Sequence, residues 1–330
     1  MIAHAREPGA AKPAREPAAA SSARTTYRGR FAPSPTGPLH FGSLVAAMAS
    51  YADALAAGGA WLVRIEDVDV PRARKGAADT ILATLERLGF AWEGRVWRQS
   101  MRTSHYEEAL DRLDEAGLVY PCVCTRSERA RDHVGPIGER IYPGACAHGI
   151  APHRAGRNTR AMRVRVPSSP IAFTDRLQGM VEQSLARDVG DFVVRRSDGL
   201  FAYQLAVVVD DGAQRITDVV RGADLIASTP RQIFLQRALG LPMPRYLHVP
   251  VALDAHDRKL SKQAGARALP DAPVAALCAA WRFLEQRALD ETPASTAEFW
   301  AFAREWWRPA RLPPVAMLPA PDAYNGSTSA

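Results

Sequence analysis

RFAPSPTGPLHFGSLVAAM, residues 30–48, sets prolines at 33 and 35, glycines at 37 and 42 and a histidine at 40 just ahead of an alanine-rich run. Pro33 and Pro35 lack N–H groups and hold the segment extended. Gly37 permits a turn that a bulkier residue resists. A helix is predicted from about residue 42 to residue 57, stopped by Gly58 and Gly59. Its first turn offers unpaired N–H groups and the positive end of the helix dipole, both suited to an anion. Gly42 lets a flat base or ribose approach the backbone, and His40 is placed to reach a phosphate oxygen. A histidine at a helix start serves a purely structural turn equally well. The segment alone is therefore either a tight turn or a cradle for a polyphosphate.

The stretch KLSKQ at 259–263 bears on that choice. Its two lysines flank a serine on a charged loop that follows the apolar strand YLHVPVAL. Earlier strands are predicted at 30–34 and at 61–67 (WLVRIED), with helices at 75–90 and 104–118. In the first of these helices Ile81, Leu82, Leu85 and Leu88 share a face, and in the second Leu110 and Leu113 point inward. This alternation predicts an α/β fold with a Rossmann-like parallel sheet. Further on, FVVRRSDGLFAYQLAVVVDDG predicts a hairpin with its turn at Ser197, Asp198 and Gly199 and a long apolar strand at 201–209. TPRQIFLQRALG predicts a helix. One last helix is expected at about 274–288, ahead of a Trp- and Pro-rich tail. Two ammonium groups on the late loop could hold a triphosphate and neutralise charge developing on a pentacoordinate phosphorus. That work is positioning and electrostatics more than acid or base chemistry.

The 330 residues, 47% of them hydrophobic, suffice for a sizeable core and about two domains of ~100–200 residues each. No charge-free apolar run reaches the ~18 residues of a membrane span. Residues 1–28 are rich in Ala, Pro, Arg and Ser, lack the apolar centre of a signal peptide, and read as a disordered extension. The net charge of +7 is unevenly placed: residues 1–30 hold six Arg/Lys against two Glu, and residues 125–165 hold nine Arg against three acids. Those blocks carry +4 and +6, which leaves −3 for the rest. The internal block lies in a stretch of irregular texture beginning at Val119. It suits a phosphate-rich partner, or else is a solvated surface. Cys122, Cys124 and Cys146 cluster there, while Cys278 stands alone in a helical stretch. Without a secretion signal the cytoplasm is the expected compartment, where clustered cysteines suggest metal rather than disulfides.

Taken together, the helix start at His40 and the late lysine loop resemble the HIGH and KMSKS signatures of class I aminoacyl-tRNA synthetases. The wording RFAPSPTGPLHFGSL with VRIEDVD is similar to the glutamyl subgroup, over about residues 29–268. Ser43 stands where HIGH has its second histidine, and Leu260 and Gln263 replace two residues of KMSKS. After Gln263 only 67 residues remain, too few for a helical anticodon-binding domain, so the chain resembles the truncated glutamyl-Q tRNA(Asp) branch. The resemblance implies five segments: the extension at 1–28; two halves of the catalytic domain, at 29–118 and 186–268; an insertion at 119–185; and a short helical segment with a tail at 269–330.

The resemblance also implies a site. ATP, with Mg2+, would meet His40, Gly42, Lys259 and Lys262, of which His40 and Lys262 are catalytic. L-glutamate would meet Arg30, Ala32, Ser34, Glu66, Tyr203 and Arg221. A guanidinium selects a carboxylate by bidentate geometry, and an acid suits the ammonium. From the residues alone, Glu66 and Arg221 fit surface pairs and Tyr203 fits the core. The implied reaction is tRNA-independent formation of glutamyl-adenylate, then transfer to the queuosine base in the anticodon loop of tRNA(Asp), by a monomer. A short glutamyl-tRNA synthetase charging a 3′ end and a non-catalytic RNA-binding relative are the alternatives. Of zinc's four ligand positions the three cysteines fill three. His133, His148 and His153 are conventional fourth ligands, but the resemblance implies Tyr142, with His148 next. Four protein ligands would make a structural Zn2+ that braces the basic block.

Overall fold

The structure, a computed structural model, describes residues 26–136, 138–260 and 267–325. In chain order the strands are β1 (Arg28–Phe31), β2 (Ala60–Ile65), β3 (Trp97–Arg98), β4 (Val119–Cys122), β5 (Ala161–Val164), β6 (Ile171–Asp175), β7 (Gly179–Gln183), β8 (Phe192–Arg195), β9 (Asp218–Gly222), β10 (Arg245–Val249), β11 (Val251–Leu253) and β12 (Met317–Pro319). The helices are α1 (Phe41–Ala56), α2 (Ala77–Arg87), α3 (Thr103–Glu115), α4 (Arg126–Arg129), α5 (Leu185–Asp188), α6 (Tyr203–Ala213), α7 (Thr229–Ala238), α8 (Pro273–Phe283), α9 (Thr296–Trp306) and α10 (Asp322–Asn325).

β1, β2 and β3 pair in parallel, with β2 central. All six residues of β2 are buried, as a strand covered on both faces requires, and its one charged residue, Arg64, therefore needs partners. β9, β10 and β6 are also parallel, and β7 closes that sheet as a hairpin on β6. The two sheets meet edge to edge where the Thr217 N–H donates to the Arg28 carbonyl at 3.0 Å. From β1 the chain crosses by α1 to β2, and from β9 by α7 to β10 on the opposite side. The junction of β1 and β9 is thus a topological switch point, where open α/β sheets bind ligands at their carboxyl ends.

α1 is buried along most of its length between the sheet and the C-terminal helices α8 and α9, whose Trp281, Phe299 and Trp300, with Trp307, join the same core. A second core lies among α3, α6 and α7, and a small third one under the cysteines. Asp53 of α1 accepts hydrogen bonds from Tyr27 Oη (2.7 Å), Arg176 Nη1 (2.6 Å) and Trp307 Nε1 (3.0 Å).

Several sequence expectations change. Residues 203–209, expected as most of the strand 201–209, fall instead in helix α6. The turn is present, with the Arg196 N–H donating to the Leu200 carbonyl, but Phe201 only bridges Arg195 before the helix begins. Leu205, Ala206, Val207 and Val208 are all buried, and a helix buried all round lacks the amphipathic period that would separate it from a strand. The strand expected at 30–34 ends at Phe31, where the proline-bearing loop takes over. The last helix ends at Phe283, and a second, α9, follows. Among the described residues between 123 and 160, the stretch expected to be irregular holds only the short α4 and a 3-10 turn, but it is flanked by β4 and β5, which form an antiparallel sheet with β8, and β6 and β7 beyond it join the main sheet. Tyr27 and Arg28 belong to the fold, while residues 1–25 of the expected extension lie outside the described residues. Among the described residues no helix is long and apolar enough to cross a membrane.

Candidate active site

A cleft of about 680 Å³ opens at the carboxyl ends of β1, β2, β9 and β10. It is lined by Arg30, Ala32, Ser34, His40, Gly42, Glu66, Tyr203, Arg221 and Lys259, nine of the ten residues expected to meet glutamate and ATP. The tenth, Lys262, lies outside the described residues. The proline loop is tied down at two points: the Glu66 N–H donates to the Pro33 carbonyl at 3.0 Å and the Arg74 N–H to the Pro35 carbonyl at 2.9 Å. One of these bonds holds the end of β2, and with it Glu66, against the loop that follows β1.

His40 is the N-cap of α1, and its Nδ1 accepts the Ser43 N–H at 3.4 Å. In a neutral ring that role assigns the proton to Nε2 and makes it a donor. A Cβ on Gly42 would come within 3.3 Å of the His40 ring and 3.6 Å of the Leu260 carbonyl. The first loop and the start of the lysine loop therefore do converge. Lys259 Nζ is paired with Asp224 across the cleft wall, and a polyphosphate would compete with that carboxylate for the ammonium.

Behind Arg30 and Glu66 lies a network that the sequence reading missed. Arg30 donates to both oxygens of Asp211, with Nε at 3.2 and 3.3 Å. Arg64, fully buried, reaches Asp211 at 2.8 Å, Glu66 at 3.2 Å and Asp210 at 3.7 Å, and donates to Gln214 Oε1 at 2.6 Å. Asp210 also accepts from Gln99 (3.0 Å), Arg102 (2.6 Å) and Tyr106 (2.8 Å). Three guanidiniums thus face three carboxylates. Burial opposes the charge on Asp211, but Arg30 and Arg64 outweigh it and hold its pKa below the ordinary value. At Glu66 burial prevails and the pKa is raised. A carboxylate so placed gains from a further cation, such as an ammonium in the cleft. Two sequence signals could have revealed this network: a charge inside the apolar strand WLVRI, and the acid pair closing VVVDD.

Arg221, 5% exposed, is held from behind. Its Nε donates to His248 Nε2 at 3.0 Å and its Nη2 to Thr229 Oγ1 at 2.8 Å, while Nη1 lies 3.5 Å from the hydroxyl of Tyr203.

The cysteines form a separate cluster at the end of β4 and in the stretch between β4 and β5. The Sγ atoms of Cys122, Cys124 and Cys146 lie within 4.8 Å of one another, and Cys124 and Cys146 are 3.6 Å apart. The Tyr142 hydroxyl lies 3.3 Å from Cys122 Sγ and 3.5 Å from Cys124 Sγ. Zinc–sulfur bonds of ~2.3 Å and zinc–oxygen bonds of ~2.0 Å in a tetrahedron imply edges of about 3.8 and 3.5 Å, so this donor set fits. Burial, then the neighbouring thiols, raise the Tyr142 pKa, a preference that a dication would reverse. His148 is exposed, and among the described residues no histidine belongs to the cluster. The arginines of the basic block mostly serve the insertion itself. Arg129, Arg154 and Arg157 pair with Asp132 or Glu128, and Arg140, Arg163 and Arg165 donate to backbone carbonyls.

Residues 26–276 match the family of class I tRNA synthetases (E and Q), catalytic domain. The chain is 56% identical over 299 residues to the glutamyl-Q tRNA(Asp) synthetase of Dechloromonas aromatica, covering 89% of this chain and 98% of that protein. It is 58% identical over 301 residues to the enzyme of the same name from Burkholderia mallei, covering 88% and 99%. Among solved structures, the glutamate-tRNA synthetase of Elizabethkingia anophelis superposes with a TM-score of 0.73 at 23% identity, covering 90% of this chain and 68% of that one.

Proposed function

Because this chain belongs to the class I glutamyl- and glutaminyl-tRNA synthetase family, and within it to the glutamyl-Q tRNA(Asp) synthetases, we propose that it activates glutamate with ATP and passes it to the queuosine base of tRNA(Asp). The observation that carries the reading is the convergence of Arg30, Glu66, Arg221 and His40 on one cleft at the switch point. Arg30 and Arg221 would take the carboxylates of glutamate, and Glu66 its ammonium. The α-carboxylate attacks the α-phosphorus of ATP and pyrophosphate leaves, its charge met by His40, the N–H groups of α1 and Lys259. Magnesium would add charge neutralisation when bound with ATP. A hydroxyl of the queuosine cyclopentene ring then attacks the mixed anhydride and displaces AMP. The test is glutamate-dependent ATP–pyrophosphate exchange without tRNA, followed by transfer of labelled glutamate. Exchange, with label retained on the anticodon fragment, is expected. Label released with the terminal adenosine would instead show charging of a 3′ end, and absence of exchange would show an inert relative.

We further propose that Cys122, Cys124, Tyr142 and Cys146 hold a structural zinc ion, whose chemistry there is to cross-link β4 to the loop carrying Tyr142 and Cys146. Tyr142→Phe is expected to lower zinc affinity by at least about 10-fold, the smaller loss known for even outer-shell partners. Metal content after dialysis against a chelator checks it. Unchanged retention would remove Tyr142 from the ligand set.

A further inference from the structure

His248 and Asp175 contribute nothing to the lining of the cleft, and both are buried at its back. Asp175 closes β6 and His248 sits within β10, the strand paired with β6. His248 Nδ1 lies 2.7 Å from Asp175 Oδ2, and its Nε2 receives the Arg221 Nε–H at 3.0 Å. Arginine offers no acceptor, so Nε2 must carry the lone pair and Nδ1 the proton. Asp175 suits this assignment: it accepts at Nδ1, and its other oxygen is anchored by the N–H groups of Leu177 (3.0 Å) and Gln178 (2.9 Å). The ring of Tyr246 stacks beside the imidazole at 6.0 Å and that of Phe173 meets it edgewise at 6.4 Å, which opposes a flip. Burial lowers the His248 pKa to about 4, consistent with a neutral ring at neutral pH.

We propose that Asp175 and His248 are positioning residues for glutamate recognition. Asp175 fixes the Nδ1–H tautomer of His248, and the lone pair on Nε2 then aims the Arg221 fork at the substrate carboxylate. The proposal rests on the reading of Arg221 as a glutamate contact. With Thr229 holding Nη2, two of the three guanidinium nitrogens are committed from behind, and Nη1 is left beside the cleft-lining Tyr203. A neutral acceptor at Nε holds the guanidinium without cancelling its charge. A carboxylate there, like the one at Arg30, would compete with the substrate. Asp175 lies one group further back, bonded to the backbone N–H and Nδ1 of His248, so its charge acts on the histidine first.

Two measurements test this. In the unmodified protein at neutral pH, 15N spectra should show His248 with a pyrrole-type Nδ1 and a pyridine-type Nε2. The reverse tautomer, or an imidazolium, overturns the proposal without any variant having to fold. In pyrophosphate exchange, His248→Phe should raise the KM for glutamate about 10–100-fold, the span of one hydrogen bond to a charged group, with kcat within about threefold. His248→Gln, which retains an acceptor oxygen, should recover at least half of that loss on a logarithmic scale. A merely structural histidine would lower the active fraction, and so kcat, at unchanged KM. That outcome, or an equal KM for the Phe and Gln variants, overturns the proposal. Failure of the underlying reading looks different: Arg221→Lys would then leave the glutamate KM unchanged while the 15N spectrum stayed as expected.

Discussion

Replacing Arg64 with methionine is expected to destabilise the protein by about 3–5 kcal/mol, the cost of removing one partner from a buried ion pair. The lost guanidinium is fully buried and touches Asp210, Asp211, Glu66 and Gln214. Methionine fills much of the volume but leaves three carboxylates facing two cations, Arg30 and Arg102. Asp210 retains Gln99, Arg102 and Tyr106, and Asp211 retains Arg30, so the uncompensated charge falls chiefly on Glu66. Glu66 already has a raised pKa through burial, and without Arg64 it should take up a proton and lose its attraction for an ammonium. Urea denaturation measures the first effect, and the glutamate KM at fixed pH measures the second. A loss under about 1 kcal/mol, the range of exposed pairs, would show that the network does not act as a buried unit.

Arg221→Lys should lower kcat/KM for glutamate by about 10²–10³-fold, or roughly 2.7–4 kcal/mol, although the charge is retained. Three nitrogens of Arg221 serve three neighbours, His248, Thr229 and Tyr203, in one plane. A single ammonium cannot reach His248 and Thr229 and also meet a carboxylate in the cleft, and each buried acceptor left unpaired adds about 1–3 kcal/mol. The loss should appear mostly in KM, since the interaction is made in ground and transition states alike. Pyrophosphate exchange over a range of glutamate concentrations reads it directly. A change of less than about fivefold would remove Arg221 from the pocket, because a hydrogen bond to a charged group is worth more than that.

The parts of this fold that announce themselves are those where chemistry constrains the backbone. Pro33, Pro35 and Gly42 leave few conformations open, and the loop they specify joins β1 to α1 as the spacing suggests. The exposed amphipathic helix α2 carries its period plainly, with Ile81 and Leu85 buried. Helix α6 does not, since almost every side is covered and its valines read as a strand. α9 carries a legible signal: Ser295 and Glu298 make a capping signature ahead of Phe299 and Trp300, and the Ser295 hydroxyl does accept the Glu298 N–H. The cleft's lining followed from the family resemblance, whereas its support did not. Asp175 and His248 lie 73 positions apart and meet only because β6 and β10 are neighbours. No local pattern records a pairing that topology creates. For the arginine-rich block, charge counting leaves the roles of individual side chains open, because it cannot distinguish one that faces solvent from one bound to a carbonyl beside it.

Asp53 sits one turn from the far end of α1, whose other end is the cap at His40. The helix spans 16 residues, about 24 Å at the usual rise. The entry to the first strand, the β6–β7 turn and the final indole all moor to that one carboxylate, so the helix that presents His40 to the cleft is steered from its stern. The carboxyl-terminal segment is accordingly no exchangeable appendage. Any different module spliced on behind the cleft would have to bring its own donor to Asp53, or leave a buried anion short of a partner and the rudder loose.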